Sequence, residues 1–261
     1  MLSRPGGRER NEDACGHWGL GKSGQDGPVC CVLADGAGGH GGGDVASRTA
    51  AAAVLEAFGV RPDCDPATVR DLIDTANRAV VARQSPSDAT RDMRSTLVVW
   101  VCDPARRKSA WGHTGDSRLY CFRDGSLLAR TRDHSLFQSM VDAGIADATD
   151  LRGNPQRNVL FASLGSLDGF EADVPDTTFS LVPGDAFLLC SDGFWETVRE
   201  TDMEAGLQRA ETPQGWIDEM AALVERQTSV GQDNYSALAV WFGDPDFRTR
   251  IGPFQGAPAD R

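Results

Sequence analysis

Residues 29–34, Val-Cys-Cys-Val-Leu-Ala, form an uninterrupted apolar run that stops at Asp35. Seven of the next nine positions, 36–44, are Gly or Ala. A short apolar run bounded by Gly-Pro before it and Asp-Gly after it reads as a buried strand. The chain must therefore bury a strand that delivers a carboxylate at its end, into surroundings almost free of side chains. Residues 186–193, Ala-Phe-Leu-Leu-Cys-Ser-Asp-Gly, repeat the pattern and place Asp192. A mirrored version, Gly-Gln-Asp-Asn, sets Asp233 just ahead of an apolar run that begins at Tyr235. Asp116 lies in Gly-Asp-Ser between two further strand-like runs.

A strand end fixes a carboxylate in place, and a neighbouring glycine lets a hydrated cation approach the backbone. Hard cations such as Mg²⁺ and Mn²⁺ favour such oxygen sites. Any one of these acids, taken alone, is more simply a turn residue, because Asp-Gly is a common turn dipeptide; the weight lies in the combination. No GxxxxGK[ST] or GxGxxG accompanies the glycines, so a nucleotide loop lacks its motif.

The rest of the chain supplies the setting. Helices are predicted over 44–58, 66–84 and 135–143, the last capped by Gly144, and from Pro213 with Thr212 as N-cap. Strands are predicted over 29–34, 96–102, 109–114, 118–122, 177–182, 186–190 and 235–242. The runs on either side of Gly115-Asp116-Ser117 are expected to form antiparallel strands, with a second turn at Asp124-Gly125 following, and those joined by Pro183-Gly184 are expected to pair as well. Strands and helices arrive in blocks without strict βαβ alternation, which argues for an α+β layered fold with antiparallel sheets. Residues 145–158 read as an irregular flap or a short helix with a loop, 1–243 as one domain, and 244–261 as a loose tail.

The formal net charge of −12 over 261 residues argues against nucleic-acid binding, which needs a basic surface. Seven cysteines without a CxxC pair suit buried free thiols in a reducing compartment. With no apolar h-region near Met1 and no run approaching ~18 apolar residues, a soluble cytoplasmic protein without a membrane partner is expected. A monomer is taken as the default.

Eight segments then carry a family resemblance: RERNEDA (8–14), LADGAGGHGGGDVAS (33–47), RSTLVVWV (94–101), GHTGDSRLYCFRDGSL (112–127), TRDHSLFQSMVDAG (131–144), NPQRNVLFASLG (154–165), PGDAFLLCSDGFWE (183–196) and GQDNYSALAV (231–240). Their order is similar to that of the metal-dependent protein phosphatase 2C family, in its compact bacterial form. The resemblance implies a four-layer αββα sandwich, two antiparallel sheets flanked by helices, with a two-metal centre at one end. It implies Mn²⁺ or Mg²⁺ as the ions, with a third weakly held one. By position, Asp35 matches the carboxylate that bridges the two metals and Gly36 the residue whose carbonyl binds one of them. Asp192 and Asp233 match further ligands of the first metal, and Asp116, with Asp192, the third site. Arg8 matches the arginine that holds the substrate phosphate. Glu12 and Asp13 match acids that orient metal-bound waters, and Thr96 lies near that water shell.

The implied reaction is hydrolysis of phosphoserine and phosphothreonine in proteins. Two ions ~3.5–4 Å apart can lower the pKa of a shared water towards ~7 for in-line attack, with Arg8 offering a planar fork to two phosphate oxygens. Two positions depart from the pattern: Ala37 stands where some members carry a leaving-group acid, His, and Glu196 where many carry Asp. His40 does not align with that acid. The RPGGR…NED and SDGFWE stretches look similar to bacterial phosphatases that oppose a Hanks-type kinase, some linked to type VI secretion. The alternatives are a non-catalytic phosphoprotein-binding module and a small-phosphoester hydrolase on the same fold. Arg118 is expected to be a buried ion-pair anchor, and His134 to cap a turn.

Overall fold

The computed structural model describes residues 1–20, 27–37, 41–86, 89–166, 170–227 and 231–243; the tail predicted to be loose and His40 lie outside them. In chain order the elements are β1 (Leu2–Arg4), β2 (Asp13–Trp18), β3 (Val29–Ala37), α1 (Gly43–Val60), α2 (Pro66–Arg83), β4 (Arg94–Ser95), β5 (Leu97–Asp103), β6 (Lys108–Thr114), β7 (Arg118–Arg123), β8 (Ser126–Arg130), α3 (Leu136–Asp142), β9 (Phe179–Ser180), β10 (Ala186–Cys190), α4 (Asp192–Trp195), α5 (Glu200–Arg209), α6 (Pro213–Arg226) and β11 (Tyr235–Trp241). Two 3-10 turns, Ala148–Gly153 and Pro155–Asn158, follow α3.

Period-two burial builds the layers. On β3, Val29, Cys31 and Leu33 face a central core with Trp100 of β5, Leu119 and Cys121 of β7, and Phe187 and Leu189 of β10. Cys30, Val32 and Ala34 face the opposite way, onto Val54 and Phe58 of α1 and Ile73 and Val80 of α2. The second sheet repeats this: Tyr120, Phe122, Leu188 and Cys190 pack outward on Trp195, Met203, Trp216 and Met220. One sheet runs β2-β3-β5-β6-β9 with β4 beside β3, the other β1-β11-β10-β7-β8. Helices thus cover both outer faces of a sandwich of antiparallel sheets, as expected.

Local chemistry sets the helix ends. Asp65 accepts the Thr68 N–H at 2.6 Å ahead of Pro66 in α2, and Thr212 accepts the Gly215 N–H at 3.0 Å ahead of Pro213 in α6. Ser135 caps α3 through the Gln138 N–H at 3.2 Å.

Two expected strand pairs do not form. The strands flanking 115–117 belong to different sheets: β6 pairs with β5 and β9, whereas β7 pairs with β10 and β8. Gly115, at φ +96°, turns the chain out of the first sheet and across the sandwich. The hairpin lies one connection later, at Asp124-Gly125, both with positive φ, joining β7 to β8. Likewise β9 pairs with β6, and β10 with β7 and β11. The buried Asp185 carboxylate receives the Val182 N–H at 2.9 Å and the Arg123 guanidinium at 2.8 Å, anchoring the turn that carries the chain from one sheet to the other.

Candidate active site

At one end of the sandwich the strand-end acids meet. Asp35 lies in the last three residues of β3, Asp192 opens α4 one residue after β10, Asp233 precedes β11, and Asp116 sits in the crossing from β6 to β7. Together with Arg8, Glu12, Gly36 and Thr96 they line a cleft of about 470 Å³; Asn158 and Leu160 lie on its flap side.

Backbone hydrogen bonds hold the floor. The Asp35 N–H donates to Thr96 Oγ1 at 3.0 Å, and the Asp35 carbonyl accepts the Thr96 N–H at 2.8 Å and the Ser95 hydroxyl at 3.0 Å. Thr96 Oγ1 also lies 2.7 Å from Ser117 Oγ, so the residue that fixes Asp35 is bonded to the loop that carries Asp116. The Gly36 N–H donates to the Glu12 carbonyl at 3.1 Å. A Cβ on Gly36 would lie 2.1 Å from the Gly43 carbonyl oxygen, so only glycine allows the strand end and the start of α1 to touch.

Asp13 lies behind Asp35, its register partner across β2 and β3. It is buried; one carboxylate oxygen accepts the Ser191 hydroxyl at 2.8 Å, and Oδ1 has no hydrogen-bond partner among the described residues. Arg8 stands at the rim, half exposed, with Nη2 3.0 Å from Asp233 Oδ2. Trp195 Nε1 donates to the Asp116 carbonyl at 2.9 Å. Arg118 does form a buried ion pair, both contacts with Asp133 at 2.7 Å, and its Cζ sits over the Trp195 ring, 3.4 Å from the centroid.

Packing this many carboxylates together is costly without positive charge between them. Burial and then Asp13, Asp192, Asp116 and Asp233 push the Asp35 carboxyl well above the usual range. Burial and then Asp116, Glu196 and Asp233 do the same to Asp192. Burial, then Asp133, raises Asp116 to about 7, and burial raises Asp13 to about 6. Glu12 is raised by burial and by Asp44 and Asp233. An all-oxygen donor set whose members repel one another, with an unpartnered buried oxygen behind it, fits hard divalent cations. The thiols do not fit a nucleophile: burial pushes Cys15 up to about 11 and Cys102 and Cys121 to about 12.

Asn234 was not singled out from the sequence. Its Oδ1 accepts the Glu12 N–H at 2.8 Å and its Nδ2 donates to the Pro5 and Arg10 carbonyls at 2.8 and 2.9 Å. One side chain thus ties the Arg8–Glu12 segment to the Asp233 turn. Its signal was the Asn beside the acid in Gly-Gln-Asp-Asn. Glu196, one of the two departures from the family pattern, pairs with Arg157 of the flap.

Residues 6–238 match the protein phosphatase 2C family model. The chain therefore belongs to the protein phosphatase 2C family, and it is a serine/threonine protein phosphatase. The serine/threonine phosphatase stp of Listeria monocytogenes is 29% identical over 238 residues, covering 89% of this chain and 90% of that protein. The structure of the S. agalactiae serine/threonine phosphatase superposes with a TM-score of 0.77 at 25% identity, over 92% of this chain and 97% of that one. The catalytic domain of the serine threonine protein phosphatase PstP in complex with two manganese ions superposes at 0.74 and 26% identity, over 91% and 95%. The family is metal-dependent. No helix among the described residues is long and apolar enough to cross a membrane.

Proposed function

We propose that Asp35, the Gly36 carbonyl, Asp192 and Asp233 hold two Mn²⁺ or Mg²⁺ ions, with Asp116 and Asp192 forming a weaker third site. The observation that carries this reading is the convergence of these acids, from both sheets, on one cleft in which burial and the neighbouring carboxylates push Asp35 and Asp192 well above the usual range. When bound, the ions supply an activated water and neutralise charge on the phosphoryl group.

The chain's own groups do the rest. Arg8 turns its fork from Asp233 to the phosphate of the incoming phosphoserine or phosphothreonine; a dianion is the stronger partner for a guanidinium. Asp233 is thereby freed to face the floor. Glu12 and Asp13 take hydrogen bonds from waters at the edge of the site, Asp13 through its unpartnered Oδ1. Thr96 keeps the Asp35 carboxylate aimed into the cleft through the peptide on either side of it.

Residues 1–243 are read as one catalytic domain, cytoplasmic and monomeric, whose substrates include a serine/threonine kinase. The test is phosphate release from a phosphothreonine peptide in the presence of Mn²⁺. The reading requires release that chelation abolishes, that Asp35→Asn removes and that thiol blockers leave intact. Full activity of Asp35→Asn would end it.

A further inference from the structure

Outside the metal ligands, one polar cluster has geometry that the reaction does not yet use. His113, His134 and Asp173 bring ligand atoms within 4.8 Å of one another, and the two rings meet at a tilt of 31° with centroids 4.6 Å apart. Such a spacing could bridge a transition ion. The hydrogen bonds argue otherwise. His134 Nδ1 accepts the Gly115 N–H at 3.3 Å. The ring nitrogen that accepts carries no proton, so in the neutral ring Nε2 carries it, and Nε2 faces Asp173 Oδ2 at 3.3 Å. A flipped ring would present carbon to both partners. Nε2 therefore has no lone pair to give a metal. His113 uses its Nε2 on the Arg132 carbonyl at 2.7 Å.

The same hydrogen bonds point to a different role. His134 grips the Gly115 peptide region twice, since its own backbone N–H also donates to the Gly115 carbonyl, at 2.9 Å. Gly115 is wedged on its other side by Thr96: a Cβ there would lie 2.7 Å from the threonine methyl. Gly115 is the residue immediately before Asp116. The His134 carbonyl in turn accepts the Phe161 N–H at 3.0 Å, next to Leu160 of the cleft wall. Asp173 is itself fixed, its backbone exchanging hydrogen bonds with His113 at 2.9 and 3.0 Å.

We propose that His134 is a positioning residue for the Asp116 carboxylate, clamping Gly115 against Thr96, and that Asp173 holds its ring in the Nε2–H form that the clamp requires. This rests on Asp116 as a ligand of the weaker ion site. Partners that orient ligating groups from behind commonly contribute ten- to hundredfold in metal affinity.

The experiment has two readouts. Long-range ¹⁵N–¹H correlation on histidine-labelled protein should show the His134 proton on Nε2 and Nδ1 accepting, and Asp173→Ala, at an exposed side chain, should shift that tautomer balance. Mn²⁺ titration followed by electron paramagnetic resonance counts bound ions and their affinities. His134→Phe keeps a ring against His113 and Phe161 but removes the acceptor; it should weaken the Asp116-dependent site roughly ten- to hundredfold. His134→Asn restores an acceptor near the Nδ1 position and should recover much of that loss. Recovery by Asn with no matching change in melting temperature separates positioning from mere stability. If Asp116→Asn removes no Mn²⁺ site, the ligand reading beneath the proposal fails. If Asp116→Asn removes one and His134→Phe leaves it untouched, the positioning role alone fails. Zn²⁺ uptake by His113, His134 and Asp173 in Asp116→Asn protein would overturn it in favour of a metal site.

Discussion

The floor and the flap of the cleft are built on different principles. The floor acids are aimed by the main chain: Asp35 by the Thr96 backbone and hydroxyl, Asp192 by the start of α4, Asp116 by the crossing at Gly115. The flap, residues 145–158 with its two 3-10 turns, is tied to the rest of the domain by side chains: Arg157 to Glu196, and Arg152 to Glu200 at 2.7 Å. It also leaves Ile145 exposed, and Val159 and Phe161 just beyond it. A site aimed by backbone bonds leaves little room for adjustment, whereas one pinned by partly exposed ion pairs can re-pair at small cost. Catalytic power should therefore reside in the floor, and adaptation to different protein substrates in the flap.

That contrast can be broken or sharpened, starting with the floor. Asp35→Asn and Asp192→Asn should each lower phosphate release by roughly 10³-fold or more, since they remove several kcal/mol of transition-state charge stabilisation. The same substitutions should raise the melting temperature of the metal-free protein near pH 7.5 by relieving carboxylate repulsion. Loss of activity together with a lowered melting temperature would instead mark these acids as structural.

At the rim, Arg8→Ala should lower kcat/KM roughly ten- to hundredfold on a phosphopeptide, and Arg8→Lys should recover only part, because a point charge cannot supply the two-pronged contact. Full recovery by Lys would show that charge alone suffices.

The pH dependence of the metal-free fold tests the electrostatics of the floor. Asp13 and Asp116 have folded-state pKa values of about 6 and about 7, above the ordinary 3.8. The folded chain holds protons that the unfolded chain has released, so stability should fall as pH rises from about 4 to about 7. Saturating Mn²⁺ should remove that fall. A stability that rises over this window without metal would contradict the account.

The smallest effect belongs to the flap. Glu196→Gln, measured by melting temperature and steady-state kinetics, should change stability by less than about 1 kcal/mol and shift KM for a protein substrate more than kcat. A hundredfold loss of kcat would move the flap into the same class as the floor.

Much of this is legible in the sequence. The runs at 29–34, 186–190 and 235–242, and the helices at 44–58, 66–84 and from Pro213, carry apolar periodicity or caps strong enough to read directly. β2 and α5 were not read. β2, Asp-Ala-Cys-Gly-His-Trp, mixes polar and apolar positions without alternation and borders the sheet, and its pairing with β3 is what makes it a strand. The sequence pattern predicts strands around Gly115 and Gly184 but pairs them with the wrong neighbours. Strand pairing is non-local, and a short Gly-containing connection serves a hairpin or a crossing between sheets equally well. The role of Asn234 escapes a local reading because its three partners, in residues 5–12, lie more than 220 positions away.

The amino-acid sequence by itself determined the strand-end acids, the glycines that crowd them and the layered α+β class, because burial pattern and turn chemistry are local. Only the tertiary structure decided that Asp35 from one sheet and Asp192 from the other share a cleft, that Asp13 stands behind them, and that His134 grips the loop before Asp116. Those facts depend on how two sheets are stacked and on hydrogen bonds between residues remote in the chain, which no window of sequence contains.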